Sequence, residues 1–230
     1  MRIAAAAAAC AALATGLAAE PRPACPVTRD GALCLFRDTP VELDTGEEHF
    51  FGDTGMPYYR MRRALTFTDG TGRTWRAPAG TLTDGASIPP VFHDLIGPPR
   101  TPEFLQAAAI HDAYCGMGNE TLETFHLHGW EDVHRMFYDA LVSSETGRVR
   151  AKIMFAAVYL AGPRWDDPAR EIEVAADRLL QEMEWCIRWI EAKNPPRERI
   201  VEWMRSREPI LTGPDHTPPD FDALMAETFD

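Results

Sequence analysis

The chain has 230 residues, of which 45% are hydrophobic and 25% are charged, and its formal net charge is -12 at pH 7. This length and apolar content suffice for one folded domain with a hydrophobic core. The acidic balance excludes general electrostatic attraction to nucleic acid or anionic lipid, because both are negatively charged. We therefore expect no nucleic-acid partner.

The first 19 residues have the pattern of a secretory signal peptide. Arg2 supplies a positive charge, residues 3–17 are apolar, and Gly16-Leu17-Ala18 offers small residues to a signal peptidase. The apolar run is shorter than the roughly 20 residues that span a bilayer, and no later run is long enough. The sequence predicts a periplasmic or secreted protein without a transmembrane segment in its mature chain. The predicted divisions are a signal peptide (1–19), a single globular domain (20–207) and a loosely packed, acidic, proline-rich tail (208–230).

Four cysteines follow the signal peptide, and an even number in an exported chain favours disulfide bonds. Cys25 and Cys34 flank a short loop and are predicted to pair locally. Cys115 and Cys186 would then close a loop of about 70 residues, worth up to roughly 4 kcal/mol in the chain-entropy model. Four buried free thiols are the alternative.

The predicted secondary structure changes from strands to helices along the chain. Short strands are predicted at Leu33–Phe36, Val41–Leu43, Glu48–Phe51, Tyr58–Thr68 and Arg73–Pro78, with a hairpin turn signal at Asp69–Gly72. Helical spacing then predicts helices at Pro89–Ile96, Pro102–Gly116, Trp130–Ser143, Arg148–Ala161, 168–193 and 195–204. The fold class is α+β: a small N-terminal antiparallel sheet followed by a mainly helical bundle, stabilised by disulfides.

Three segments carry residues suited to chemistry: Thr83–Pro90 at the sheet–helix junction, His111–Tyr114 on the first long helix, and Glu131–His134 on the next. Adjacent helical residues point about 100° apart, so the histidine and aspartate of the second segment cannot orient each other as a dyad. Both can still border one cleft. The histidine of the third segment could face that cleft.

These segments predict a catalytic site of His111, Asp112, Asp84 and His134. Asp84 could reach it because Gly85 lets the backbone turn sharply. His111, His134 and Asp84 would also suit a divalent metal ion such as zinc or calcium acting on a water molecule. The structural alternative is an ordinary Asp-Gly turn and a hydrogen-bonded core histidine.

The motifs resemble a bacterial and phage-associated family known only as a domain of unknown function. Its pattern is a T-D-G-A-S-I-P loop, an F-x-x-L-I-G-P-P segment, a helix with A-x-x-H-D-x-x-Y, and a helix with D-x-x-F-x-x-A-L. The matching stretches here are Thr83–Pro89, Phe92–Pro99, Ala108–Tyr114 and Phe137–Leu141. His134 departs from the family's Asp, and Gly116–Gly129 is an insert. The resemblance implies a fold family but no established activity.

The leading hypothesis is an exported hydrolase that acts on a cell-envelope substrate, either peptidoglycan, a lipid or a peptide. The H-D-x-x-Y helix is also reminiscent of secreted phospholipases, in which histidine activates water and the next aspartate helps to hold calcium. Another arrangement makes Ser87 a nucleophile with His111 as its base, although Ile88-Pro89 favours Ser87 as a helix cap.

Two further alternatives concern other parts of the chain. His126 and His128 could join Glu131 and His134 in a second metal site, or belong to a solvated insert. The rival to the enzyme hypothesis is a non-catalytic structural or phage-related envelope factor. In that case the TDGASIP and HD segments only lock the sheet to the helices.

Overall fold

A computed structural model describes residues 34–52, 55–85, 88–96, 102–144, 146–168 and 173–229. The predicted signal peptide, Cys25 and Ser87 lie outside these residues. Predictions that rest on them therefore stay predictions.

The described strands form two small antiparallel sheets, one ordered β1-β4-β5 and the other β2-β3-β6. The strands are β1 (Leu35–Arg37), β2 (Leu43–Phe50), β3 (Pro57–Met61), β4 (Leu65–Thr68), β5 (Thr74–Ala77) and β6 (Leu82–Thr83). The predicted antiparallel region before the helices is confirmed, and it comprises two sheets rather than one.

A break in the strand predicted at Tyr58–Thr68 separates the two sheets. β3 ends at Met61 and β4 begins at Leu65. Between them, Arg62 and Arg63 are largely exposed. Arg62 forms an ion pair of 3.2 Å with Asp44 at the start of β2, and Arg63 forms one of 3.0 Å with Glu42 just before β2. A charged, solvated pair at this point lets the chain leave one sheet and enter the other.

The predicted hairpin turn between β4 and β5 is confirmed, and Asp69 organises it. One carboxylate oxygen accepts hydrogen bonds from the backbone N–H groups of Thr71 and Arg73, at 2.8 and 3.1 Å. The other accepts from the indole N–H of Trp75 at 2.8 Å. Because Trp75 is fully buried, this turn also anchors β5 to the core.

The helical part begins with a 3-10 turn at Pro90–Phe92, and its helices pack mostly against their neighbours in sequence. They are α1 (His93–Ile96), α2 (Pro102–Cys115), α3 (Trp130–Ser143), α4 (Arg148–Ala161), α5 (Ala176–Lys193), α6 (Arg197–Thr212) and α7 (Phe221–Ala226). α2 packs on α3 and on β4, β5 and β6, so it joins the sheets to the bundle. The predicted α+β class is confirmed. No helix in the described ranges is both long and apolar enough to cross a membrane.

The chain beyond residue 207, predicted as a loosely packed tail, contains the end of α6 and the helix α7. α6 continues through Pro209 to Thr212. Glu182 of α5 is fully buried and accepts two hydrogen bonds from Arg207, at 2.7 and 2.9 Å. The same carboxylate lies 2.8 Å from His216, which fastens the chain beyond α6. Buried charge pairing of this kind is not visible in local sequence propensity.

The predicted disulfide between Cys115 and Cys186 is wrong, because both residues are free and buried. Cys115 is at the end of α2, beside the sheets and α3, whereas Cys186 lies in α5, which packs on α4, α6 and α7. No disulfide joins two cysteines of the described ranges. Cys34 is assigned to a disulfide whose other half lies outside them, so pairing with Cys25 remains a prediction.

Candidate functional site

A cavity of about 330 Å³ lies where the sheets meet the helices, and we call it the junction cavity. Its polar lining consists of Tyr58, Asp84, His111, Asp112 and Cys115. Apolar residues form much of the remaining wall, among them Ile88, Pro89, Pro90 and Met117. Met117 is 46% exposed, so the cavity reaches the molecular surface at this residue.

Three different elements supply the polar lining. Tyr58 is on β3, Asp84 follows β6 directly, and the other polar residues lie on the last turns of α2. The predicted sharp turn after Asp84 is confirmed, because Gly85 has φ +79° and its N–H donates to the Thr83 hydroxyl at 2.9 Å. A positive φ of this size favours glycine. The turn thus directs the strand end towards α2.

Asn119, in the insert after α2, fixes the relative position of β6 and α2. Its side-chain oxygen accepts from the N–H of Leu82 at 2.8 Å, and its amide nitrogen donates to the carbonyl oxygens of Leu82 and Asp112 at 2.8 and 2.9 Å. Asn119 is 1% exposed. These bonds fix the position of Asp84, two residues after Leu82, relative to Asp112.

His111 and His134 are joined by a hydrogen bond of 3.0 Å between Nε2 of His111 and Nδ1 of His134. The structure thus brings these two predicted site residues together. Only His111 lines the junction cavity. His134 is fully buried behind it. His134 can therefore orient His111 without meeting a ligand itself.

Burial lowers the pKa of His111 to about 3, so the imidazole is neutral at pH 7. One hydrogen is shared between the two facing ring nitrogens. When His111 donates it, Nδ1 of His111 keeps a lone pair. That nitrogen is 4.0 Å from a carboxylate oxygen of Asp112, too far for a hydrogen bond but close enough for the negative charge to stabilise a protonated ring.

Two carboxylates give the junction cavity a negative character. Asp84 and Asp112 are 8% and 4% exposed. Burial, with the negative charges of both carboxylates, raises the pKa of Tyr58, so its phenol stays protonated. The Tyr58 hydroxyl forms no hydrogen bond to any residue in the described ranges, and no lysine or arginine from those ranges lines the cavity.

Cys115 also belongs to this lining, although its sequence context predicted a disulfide. Its sulfur lies 3.5 Å from Nε2 of His111. Burial and the charge of Asp112 raise the pKa of the Cys115 thiol, so it remains protonated and is a weak nucleophile. The four-residue spacing between His111 and Cys115 on one helix could have indicated that both side chains face the same site. There was no such indication in the sequence for Tyr58. Tyr59 is also a tyrosine and lies on the opposite face of the strand, so residue type alone does not show which of the two meets the site.

The histidines of the insert have packing roles instead of forming a second metal site. The ring of His126 stacks on Trp165, with centroids 4.2 Å apart, and His128 contacts the ring of Trp75 at 4.8 Å. Glu131 instead pairs with Arg205 at 2.6 Å. Nowhere in the described part of the chain do three or more His, Cys, Asp or Glu side chains gather as a metal site. The predicted zinc or calcium site is therefore unsupported there.

Comparison with known proteins finds similarity in the segment that contains this site. Residues 59–158 match the model of the family described as "Protein of unknown function (DUF1353)". Two relatives come from Sinorhizobium fredii strain NBRC 101917 / NGR234. "Uncharacterized protein y4iH" is 39% identical over 105 residues, 46% of this chain and 41% of the relative. "Uncharacterized protein y4jT" is 35% identical over 109 residues, 47% of this chain and 30% of the relative.

The similarity therefore spans less than half of this chain and less than half of each of these two relatives. No solved structure matches the chain significantly. The matched segment runs from β3 to α4 and includes Asp84, His111, Asp112 and His134. The part of the chain that carries the candidate site is thus similar to a family of unknown function.

Proposed function

We propose that the chain is an exported hydrolase whose active site is the junction cavity. The observation that carries this proposal is the convergence of Asp84, His111 and Asp112 on one cavity that reaches the surface. Enzyme sites are commonly concave, largely apolar clefts with a few polar groups held in place. The junction cavity has this composition.

In the proposed reaction, a water molecule in the cavity attacks an electrophilic carbon of the substrate, and Nδ1 of His111 accepts its proton. A general base needs a free lone pair, which the neutral imidazole has, and the negative charge of nearby Asp112 would favour proton uptake by the ring during the reaction. In this reaction Nε2 of His111 is the nitrogen that donates its hydrogen to Nδ1 of His134. The imidazolium then returns the proton to the leaving group, so the enzyme ends in its starting state.

Asp112 and Asp84 have different roles in this proposal. Asp112 stabilises the imidazolium, since its carboxylate oxygen lies 4.0 Å from Nδ1 of His111. Asp84 enters the cavity from the end of β6 and holds the substrate. His134 is a positioning residue, because it contacts His111 but does not line the cavity. None of these steps requires a metal ion.

The N-terminal pattern of Arg2 followed by an apolar run supports export to the periplasm or the medium. A cell-envelope molecule is then the substrate that the protein would meet, either peptidoglycan, a lipid or a peptide.

The test is a hydrolysis screen of the purified chain against peptidoglycan fragments, phospholipid vesicles, peptides and simple esters. We expect wild type to hydrolyse at least one class, and Asp84→Asn to do so about tenfold or more slowly, because hydrogen bonds to a charged group are worth about 1.5–3 kcal/mol. Asp94→Asn, an exposed charge change on α1, is the matched control and should retain the wild-type rate. No hydrolysis in any class, or equal loss in both variants, would overturn the proposal.

The second candidate is a non-catalytic envelope factor, and the hydrogen-bonding of Asn119 and of His111 favours it. Asn119 ties Leu82 to Asp112, and His111 is bonded to a fully buried His134. If these contacts only hold the sheets against the helices, His111→Ala would lower the free energy of unfolding. Neither wild type nor this variant would then hydrolyse any substrate in the screen. Unfolding and hydrolysis measured on the same variant separate the two candidates.

A further inference from the structure

The polar groups of the junction cavity offer hydrogen-bond acceptors on three sides. Asp84, Asp112 and Tyr58 come from the end of β6, from α2 and from β3. Tyr58 is 7% exposed, and its hydroxyl makes no hydrogen bond within the described ranges although it lines the cavity. The Tyr58 side chain is thus more than nine-tenths buried, and its hydroxyl, which faces the cavity without a partner among the described residues, is available to a ligand atom.

The charge balance selects the sign of that ligand atom. Both carboxylates line the cavity, and no lysine or arginine from the described ranges lines it with them. His111 is neutral there, because burial lowers its pKa. A cation is therefore attracted, whereas a carboxylate or phosphate group would be repelled in a site of low dielectric constant.

The number of donors and the shape of the wall narrow the ligand further. An alkylammonium group has three N–H donors and no acceptor, which matches two carboxylates and one phenol oxygen. Ile88, Pro89 and Met117 would cover the carbon chain next to that group. A volume of about 330 Å³ accommodates a chain of several carbons.

We propose that the junction cavity binds a primary ammonium group joined to an apolar chain, held by Asp84, Asp112 and Tyr58. This inference rests on the proposed function and names its substrate class: an envelope molecule that carries a free amino group on an alkyl chain.

The experiment measures binding alone, so it does not depend on turnover. Calorimetric titration of the full chain compares pentylamine, pentanol and pentanoate at pH 7, which share one chain length and differ in charge. We expect pentylamine to bind at least about tenfold more tightly than pentanol, since a charged hydrogen bond is worth more than a neutral one. Pentanoate should not bind measurably.

Variants locate the binding to the cavity. Asp84→Asn, Asp112→Asn and Tyr58→Phe should each weaken pentylamine binding, the aspartate changes by about tenfold or more. Asp94→Asn removes an exposed charge outside the cavity and should leave the affinity unchanged. If a cavity variant fails to fold, the series of three ligands on wild type still decides the matter.

The outcomes separate this inference from the proposed function. Equal affinity for the amine and the alcohol, or amine binding unaffected by every cavity variant, would overturn the inference even if the chain hydrolyses a substrate without an amino group. Selective amine binding with no hydrolysis in the screen would support the inference and remove the hydrolase. Tighter binding of pentanoate than pentylamine would contradict the charge argument itself.

Discussion

The proposed reaction depends on His111, because this residue lies between the junction cavity and the buried core. It touches the junction cavity on one side and the buried His134 on the other, with a pKa lowered to about 3 by burial. A histidine kept neutral in the folded state connects function with stability. The neutral ring is the form that can act as a base. Because the folded state keeps the ring neutral, a fall in pH should lower the stability of the fold.

Stability should fall as the pH decreases from about 6.5 to about 3. In this window the unfolded chain binds a proton at His111, whereas the folded chain does not. The stabilising contribution is therefore complete above 6.5 and is lost at about 1.4 kcal/mol per pH unit as the pH falls towards 3. Urea unfolding of wild type and His111→Gln at several pH values measures the difference in slope. Parallel curves for the two proteins would contradict the pKa argument.

Some residues of the candidate site could be predicted from the sequence, and others could not. Asp84, His111 and Asp112 stood out because their side chains are acids and bases in compact motifs, and the structure brings all three to one cavity. Tyr58 could not be found, since strand alternation alone does not reveal which face will meet α2. Cys115 was misassigned because an even cysteine number indicates pairing without giving a distance.

At the scale of elements, the junction between β6 and α2 depends on a side chain in the insert. Asn119 satisfies both backbone polar groups of Leu82 and the carbonyl of Asp112. Insert residues of this kind look like solvated loop in a sequence, yet this one is 1% exposed. The insert is therefore part of the scaffold that aligns the cavity.

Replacement of Asn119 by alanine should lower the free energy of unfolding by about 3 kcal/mol, because it leaves buried backbone groups without partners. Thr121→Ala, an exposed change in the same insert, is the matched control and should cost less than about 0.5 kcal/mol. Urea denaturation measures both. A small loss in Asn119→Ala, similar to that of the control, would show that water replaces the amide and that the insert is dispensable.

Elements were predicted well where local signals dominate and poorly where distant contacts decide. The hairpin at Asp69–Gly72 and the helices α3 and α4 follow from turn residues and apolar spacing. α6 extends past its predicted end and includes Pro209, a helix breaker by local rules. Arg207, two residues earlier, is hydrogen-bonded to buried Glu182 and ties this part of the helix to α5. Such tertiary pairing has no local signature.

At the scale of the whole molecule, packing joins the described helices, and neither of their two cysteines is cross-linked. The predicted bond between Cys115 and Cys186 would have tied α2 to α5, but both thiols are free. α3 and α4 instead connect these elements through a continuous apolar core that includes Phe137, Phe155 and Trp189. The α+β class could be predicted from the sequence, because it needs only the order of the elements.

Free thiols give a direct prediction about the intact chain. Alkylation with iodoacetamide under denaturing, non-reducing conditions should label both Cys115 and Cys186. A reductant should add no further label at either position. Peptide mass spectrometry reads each site separately, and a peptide pair cross-linked between these two cysteines would contradict the structure. In the native state both should react slowly, because they are buried.

The role of His111 as a base is tested by measuring the rate of hydrolysis by His111→Gln together with the unfolding free energy of this variant. Glutamine retains a hydrogen-bonding side chain opposite His134 but cannot act as a base. We expect this variant to fold and to have a kcat/KM about 100-fold or more below wild type, the usual range for loss of a general base. A folded variant with the wild-type rate on the same substrate would contradict this role.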